Sequence, residues 1–279
     1  NKSKVMGRVN ELLIGSDLLF QPARTEYYTN INGNKGDQII QLLDEKIYNN
    51  GFYISNNYEI TKDGLYLLLA GRYDYINFKL QEETLPSRND NRNFNAFVPK
   101  IALNYKLSKW ISVYTSYSLS YDSPAKNELE SFDPTKLYNH DLKAQETKSF
   151  EVGIKGNILN SEAEFFRHLL FEATFFNLNI DNEVVPYEVY SEVFFRNAAK
   201  TNRRGIELGS RVELYKDLKF TFAYTFSDFI YGKYSAITIE IDSAGNIIEH
   251  EKDFSGNIVP SVPKNNLFLA LSYSHPITK

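Results

Sequence analysis

The feature that most constrains this chain is a pair of alternating segments at residues 203–215 and 218–231. In the second segment Phe220, Phe222 and Phe226 alternate with small or polar residues. Side chains of a β-strand point alternately to opposite faces, so this period of two predicts strands with one apolar and one polar face. Because only a tight turn separates the segments, they are predicted to form an antiparallel hairpin. Its apolar face then meets either a second sheet, as in a soluble sandwich, or lipid, as in an outer-membrane barrel.

Residues 110–121 show this alternation most cleanly, with large apolar residues on one side and mainly serines on the other. A soluble core rarely separates the two types over so long a strand, whereas a wall between lipid and a water-filled interior does. We therefore predict a lipid-facing set (Ile111, Val113, Tyr117, Leu119, Phe220, Phe222, Phe226) and an inward-facing set (Ser112, Ser116, Thr221, Thr225).

Ten segments have strand character in all: residues 7–21, 47–61, 65–79, 97–106, 110–121, 147–156, 164–181, 203–215, 218–231 and 265–275. Short connections (61–64, 107–109, 157–163, 215–217) alternate with long polar ones (22–46, 80–96, 122–146, 185–202, 232–264). In an up-and-down meander every second connection lies at the same end, so all short turns are predicted at one end of the sheet. This asymmetry is typical of outer-membrane barrels, which have tight periplasmic turns and long surface loops.

Composition supports the same class of fold. Aromatic residues make up 15% of the 279 residues, which favours β-strands, and the absence of cysteine removes disulfides and thiolate metal sites. A net charge of −4 argues against a nucleic-acid partner, because phosphates require a basic surface. The mean hydropathy of −0.40 is compatible with a barrel, in which every second residue is polar. No apolar run approaches the length of a transmembrane helix. The first ten residues carry no signal sequence, so we expect any export signal upstream.

The long connections are the expected location of function. The first contains Ile39, Ile40, Leu42, Leu43 and Ile47, which suit a short amphipathic helix packed on its own sheet. The last, at residues 239–254, alternates enough to predict a β-ribbon that projects above the sheet.

Patterns of catalytic or metal-binding residues are missing from the sequence. His140, His168, His250 and His275 lie far apart, and no two of them have the spacing that holds a metal on one helix face. No nucleophile elbow or phosphate-binding loop is present. The carboxylates that surround His250 are expected to be solvated. We therefore expect no enzymatic activity, no catalytic residues, no metal site and no cofactor.

Several short segments follow one another along the chain: residues 52–58 (FYISNNY), 71–74 (GRYD), 97–105 (FVPKIALNY), 114–118 with 123–124, 144–146 with 150–155, 196–198, 204–207 (RGIE) and 259–263 (VPSVP). In this order they resemble the barrel of TonB-dependent receptors, which import chelated iron and other scarce nutrients. None is specific alone, but their order over nearly the whole chain is typical of this family.

The resemblance implies an all-β, antiparallel up-and-down transmembrane β-barrel of which about ten strands are present here. Barrels of this family have ~22 strands around a plugged lumen, so residues 1–279 are expected to be one segment of the barrel. The plug domain, with the box that engages TonB, is expected outside this sequence. We further expect an open sheet, in which the strands near residues 7–21 and 265–275 do not pair with each other.

The implied function is outer-membrane import of a ferric siderophore or similar iron chelate, energised through TonB. The expected partners are the chelate or another scarce nutrient, the TonB complex through the plug, and outer-membrane lipid. Surface-loop candidates for ligand contact are Arg88, Arg92, Tyr121 and Lys126. Strand parity predicts lumen-facing or plug-facing charges at Arg72, Asp74, Glu151, Lys155, Glu207 and Arg211. The alternatives are a passive porin, a surface-binding outer-membrane barrel such as an adhesin, and a soluble sugar-binding β-sandwich.

Overall fold

A single antiparallel sheet of 12 strands makes up most of the molecule. The computed structural model describes residues 2–133, 135–159, 166–189, 192–214, 218–241 and 247–274. The strands are β1 (Lys2–Val5), β2 (Arg8–Ile31), β3 (Asn34–Glu59), β4 (Leu65–Glu82), β5 (Asp90–Lys106), β6 (Ile111–Asp122), β7 (Gln145–Leu159), β8 (Phe166–Val189), β9 (Glu192–Leu214), β10 (Leu218–Ile241), β11 (Ile247–Asp253) and β12 (Asn265–Tyr273). Two short 3-10 helices, Pro86–Arg88 and Lys126–Leu129, lie in connections. Within the described ranges no helix is long and apolar enough to cross a membrane.

The strands follow one another in the sheet in the order of the chain, as expected for an up-and-down meander. Only the last part branches. β11 pairs with residues 235–241 of β10, whereas β12 pairs with residues 218–226 of the same strand. All ten predicted strands are present, and β1 and β11 are additional. β11 supplies the predicted ribbon above the sheet, although residues 242–246 lie outside the described residues.

Four of the five predicted long loops are wrong in extent, because the strands continue into them. Only residues 83–89 separate β4 from β5, and β10 runs on to Ile241. Residues 22–46 form the far half of the β2–β3 hairpin, and the predicted amphipathic helix is strand. The turn of this hairpin is Asn32-Gly33, with φ of 50° and 85°. Two adjacent residues with positive φ match the twist of paired strands, and asparagine followed by glycine is the strongest short-range hairpin signal. Residues 185–202 likewise belong mostly to the paired strands β8 and β9.

The described short turns that the sequence predicts lie at one end of the sheet, as expected, but the opposite end is not uniformly long, because the β2–β3 turn there is only Asn32-Gly33. Lys106 N donates to Gly64 O at 3.0 Å, which brings the turn after β3 beside the turn after β5. Asn157 N donates to Trp110 O at 2.8 Å at the same edge of the sheet. We call this edge the short-turn end and the opposite edge the long-loop end. Two of the predicted short turns, at residues 160–163 and 215–217, lie outside the described residues.

The two faces of the sheet differ in chemistry. On the side of Phe222, the apolar face, large side chains are exposed on nearly every strand (Ile14, Leu18, Phe52, Ile54, Leu69, Tyr73, Phe97, Ile101, Phe150, Val152, Phe175, Ile206, Leu269, Leu271). On the side of Thr221, the polar face, small, polar and charged residues prevail. The register places the predicted lipid-facing residues on the apolar face and the predicted inward-facing residues on the polar face. Apolar area of this extent on a protein surface marks contact with lipid or another apolar partner.

The sheet is open, as predicted. Among the described residues β1 pairs only with β2, and β12 only with β10. The wall also contains an internal gap between β5 and β6. Their ladder ends at Lys100 and Ser118, next to Pro99, although β4 stays paired with β5 as far as Asp90. A proline nitrogen has no hydrogen to donate, so proline is typical of such an edge. A hollow of about 260 Å³ fills the gap.

Candidate functional site

All six predicted lumen charges lie on the polar face. The register connects them strand by strand through the pairs Arg72 with Val98, Lys100 with Ser118, Ser116 with Glu151, Lys155 with Glu172, Thr174 with Glu207 and Arg211 with Thr221. Directly opposite residues of an antiparallel pair share a face, so the parity argument from sequence holds across seven strands. Whether these charges contact a plug stays a prediction.

Arg72 pairs with two carboxylates on this face, Asp17 and Asp74. Its Nη1 lies 2.6 Å from Asp17 Oδ2, and its Nε and Nη2 donate to Asp74 at 2.7–3.0 Å. Such two-pronged pairing of a guanidinium with a carboxylate fixes its orientation. Gly51 leaves the space that the guanidinium occupies, since a Cβ there would lie 2.1 Å from Nη2. The sequence predicted Arg72 and Asp74 but not Asp17, which lies on a different strand 55 residues away.

A hollow of about 610 Å³ opens near the short-turn end of β6–β10. The polar-face charges Lys155, Glu172 and Arg211 line it. Lys155 Nζ lies 5.5 Å from the centre of the Tyr114 ring. Within the described ranges neither Lys155 nor Arg211 forms an ion pair with a carboxylate. The charged groups that line the hollow are therefore two cations and one carboxylate.

The long-loop end of the same face is packed instead. Residues 123–144, the third loop, fold over β3–β5 and bury Leu129, Tyr138 and Leu142, each exposed by 2% or less. Together with strand residues they make up what we call the loop core (Leu43, Phe78, Leu80, Phe94, Leu129, Tyr138, Leu142, Ala144). Burial raises the pKa of the Tyr138 phenol, and the nearby carboxylates of Glu45, Asp90 and Glu130 raise it further.

Polar contacts hold the third loop at both sides. On β5, Asp90 accepts from Tyr138 N at 3.1 Å and contacts His140 Nε2 at 2.8 Å. On β9, the Asn197 amide accepts from Lys143 N at 2.6 Å and donates to Lys143 O at 2.8 Å. The loop thus bridges distant strands across the long-loop end.

The four predicted ligand-binding residues lie around this loop core, and each has a protein partner. Arg88 Nη1 lies 3.1 Å from Glu82 Oε2, and Lys126 Nζ lies 2.5 Å from Glu45 Oε1. Arg92 donates to Leu142 O at 2.6 Å, and its guanidinium lies 4.9 Å from the Phe94 ring centre. Tyr121 packs against the loop core. These contacts anchor the loops, and contact with a ligand stays a prediction for all four residues.

A polar hollow of about 270 Å³ lies between the third loop and the β8–β9 hairpin. Asn139, Asp141, Lys143, Arg196 and Asn197 contribute its polar lining. No local pattern selects these residues as a group, because they come together only when the third loop folds inward. The one signal in the sequence is the segment 196–198, which resembles the receptor family.

No group of three or more potential metal ligands occurs in the described part of the chain. His140 and His168 both contact polar side chains of neighbouring strands. His168 Nε2 lies 2.7 Å from Asn157 Oδ1.

A family model described as TonB dependent receptor-like, beta-barrel matches residues 3–278. This chain belongs to the TonB-dependent receptor family. The receptor is 27% identical over 188 residues to a ferrioxamine receptor of Yersinia enterocolitica. The matched region covers 66% of this chain and 23% of that protein. Family members are transporters, not enzymes, and they lie in the outer membrane of Gram-negative bacteria.

Solved structures show the same fold. The siderophore receptor PiuA from Acinetobacter baumannii has 20% identity and a TM-score of 0.71, covering 98% of this chain and 42% of that one. The alcaligin outer-membrane receptor FauA from Bordetella pertussis has 17% identity and a TM-score of 0.62, covering 99% and 41%. The chain therefore spans less than half of each of these three relatives. In transmembrane barrels the outward face is apolar and meets lipid, whereas the inward face is polar, and the two faces of this sheet fit that division.

Proposed function

We propose that the full-length receptor imports a ferric siderophore or a similar iron chelate across the outer membrane, energised through TonB. The observation that carries the proposal is the match to the receptor barrel family over residues 3–278. The named relatives support the ligand class, since one is a ferrioxamine receptor and another is a siderophore receptor. The chain covers only 23% of the ferrioxamine receptor, so the proposal concerns the complete protein.

In this mechanism the loops at the long-loop end capture the chelate. Arg88, Arg92, Tyr121 and Lys126 lie there, as does the polar hollow beside Arg196. A chelate that displaced one of their present protein partners would couple ligand binding to movement of the third loop.

The polar wall below the loops then holds a plug domain contributed by another part of the full protein. Arg72 and Asp74 are already paired on the wall, whereas Lys155 and Arg211 point into open space. We propose that the unpaired cations are the ones that contact acidic groups of the plug. Pulling on the plug through TonB would break such water-exposed contacts at low cost, because exposed ion pairs contribute only about 0–1 kcal/mol.

Uptake of radioactive iron by whole cells tests the import function. The gene for the full-length receptor is deleted and then restored, and uptake is measured with ferrioxamine, ferric citrate and a ferric catecholate. We expect uptake of one chelate to need both the receptor gene and an intact tonB gene. Uptake that persists without TonB, or that shows no preference among chelates, would favour the passive porin.

The double variant Lys155→Gln/Arg211→Gln tests the wall contacts. If these cations hold the plug, the variant keeps chelate binding to cells but changes the rate of uptake. Lys109→Gln, in the exposed turn before β6, is a matched control with the same loss of charge at the short-turn end. Identical uptake in both variants would remove the wall cations from the mechanism.

A further inference from the structure

The apolar face carries an unusual pair of cations above its apolar band. Lys46 on β3 and Lys79 on β4 are directly opposite each other in the register. We call them the lysine pair. Directly opposite residues have Cβ atoms about 4.5–5.5 Å apart, and like charges at that spacing destabilise a sheet. Neither lysine has an ion-pair partner among the residues that the structure describes.

The carboxylates nearby are already engaged. Asp44, the next apolar-face residue of β3, lies 3.5 Å from Arg24, and Glu26 and Glu83 gather round the same guanidinium. This acidic group lies one step further from the apolar band than the lysine pair does. Lys46 has Pro22 as its other cross-strand neighbour, and Lys79 has Asn91. The lysine pair therefore has no neutralising partner on the side that faces the membrane.

Polar and aromatic groups occupy the surface between the lysine pair and the apolar band. Asn77 donates to the side-chain oxygens of Asn91 and Asn93, and Tyr75 OH donates to Asn93 at 3.3 Å. Phe20 and Tyr48 stack with ring centres 4.9 Å apart. Below them come the exposed Phe52, Tyr73 and Phe97. From the band outward, the surface thus changes from apolar to aromatic, then to carboxamide, then to ammonium.

The height of the lysine pair fits the level of lipid headgroups. On β4 the apolar face runs from Leu65 to Tyr75, about the length of strand that spans a bilayer core. Lys79 lies four residues beyond Tyr75, which is ~13 Å along the strand and ~10 Å in height for a strand tilted by 35–45°. Tyrosine at the edge of the band is typical of the membrane interface.

We propose that the lysine pair binds the phosphate monoester of an outer-leaflet glycolipid, the chemistry that lipid A presents. Two ammonium groups without a carboxylate partner match a phosphate of charge near −2, and Asn91 can donate from its amide. The acyl chains of the same lipid lie against Phe52, Tyr73 and Phe97. Binding a phosphate removes the repulsion between the two lysines, so the lipid also stabilises the β3–β4 pairing.

Native mass spectrometry of the full-length receptor in detergent, titrated with diphosphoryl lipid A, tests this site. Two lysines at a membrane surface contribute about thirtyfold in affinity, so Lys46→Gln/Lys79→Gln is expected to weaken binding by about that factor. The matched control is Lys148→Gln/Lys200→Gln. These lysines also lie on the apolar face, but Asp181 neutralises them at 3.4 and 2.7 Å. We expect the control to change affinity less than about twofold.

Further titrations separate binding of the phosphate group from binding of the acyl chains. Lipid A without phosphate is expected to bind the wild type as weakly as intact lipid A binds the Lys46→Gln/Lys79→Gln variant. Inorganic phosphate is expected to be a poor competitor of lipid A. Lys46→Arg/Lys79→Arg keeps both charges and is expected to keep binding. Equal losses in the two glutamine variants, tight binding of the phosphate-free lipid, or full competition by inorganic phosphate would each overturn the proposal. If the double variant does not fold, the exposed Lys79→Gln alone gives the same comparison. None of these measurements depends on iron uptake.

Discussion

At the short-turn end of the polar face, Lys155 and Arg211 line an open hollow without a carboxylate partner among the described residues. At the long-loop end of the same face, Lys126 and Arg88 lie against buried carboxylates over a packed core. The strands are continuous between the two ends, so the backbone does not cause the difference. The difference between the two ends comes from side-chain size and from the third loop, which folds inward over the long-loop end. The same face is therefore open to solvent at the short-turn end, where a separate domain is expected. At the long-loop end the third loop covers it and excludes water.

Leu142→Ala is expected to give the largest contrast between the two ends. Leu142 is 1% exposed in the loop core, and truncating a buried leucine costs about 2–5 kcal/mol. The third loop should then lose protection from hydrogen exchange and proteolysis in the full-length receptor. Leu170→Ala, which lines the open hollow, is the matched control and should change local protection far less. Equal effects at both ends would mean that the loop core is not packed as described.

The next largest effect is expected from placing an arginine on one face or the other of β10. Phe222→Arg should cost about 2–4 kcal/mol near the bilayer midplane, because a charge is left in hydrocarbon. Thr221→Arg places the same side chain on the polar face and should cost much less. Denaturant unfolding of the full-length receptor in lipid vesicles measures both. Equal tolerance would show that the faces are assigned wrongly.

Alkaline pH should weaken the long-loop end selectively. The folded pKa of Tyr138 is raised mainly by burial, so the folded protein favours the neutral phenol. A group with a raised folded pKa contributes its full stabilisation below its unfolded pKa of about 10 and loses it as the pH rises above that value. Difference absorbance titration of the wild type against Tyr138→Phe should show one delayed phenolate. Protection of the third loop should fall above about pH 10 in the wild type and less in the variant. A phenolate that forms at the usual pH would contradict burial of Tyr138.

The smallest effects are expected from the cations of the open end. Lys155→Gln or Arg211→Gln should change the free energy of unfolding by no more than about 0.5 kcal/mol, as is usual for exposed positions. Lys126→Gln leaves the carboxylate of Glu45, which is 6% exposed, without its cation, and should cost about 1–3 kcal/mol. Chemical denaturation of the three variants measures the difference. Similar changes in the free energy of unfolding for all three variants would show that the two ends do not differ in electrostatics.

The sequence was sufficient wherever alternation alone decides the structure. β6 was predicted to within a residue, because Ile111 and Ser112 begin a regular period of two that continues to Asp122. The shared face of Arg72, Glu151 and Arg211 followed from the same parity. The far half of the β2–β3 hairpin differs from the sequence prediction, because its apolar residues at positions 39–47 also fit a helical period. The Asn32-Gly33 turn is the local signal for the hairpin.

Contacts that depend on chain folding over long separations could not be predicted. Asp90 meets His140 across 50 residues, and Lys143 meets Asn197 across 54. No local pattern encodes such a pair, since each partner alone is an ordinary polar loop or strand residue. The sequence therefore predicts solvated surface loops, whereas the third loop buries Leu129, Tyr138 and Leu142 in the loop core.

The gap between β5 and β6 lowers the bending stiffness of the sheet along these two strands. Residues 95–99 lack a ladder partner on the β6 side, while the neighbouring strands stay fully bonded. Bending stiffness across a sheet comes from its hydrogen-bonded ladders, so an outward load on the loops is taken up first along this gap. The upper part of the barrel can therefore widen between Phe97 and Leu119 while its lower part keeps its circumference. This easily widened part lies at the end where the proposed chelate would enter.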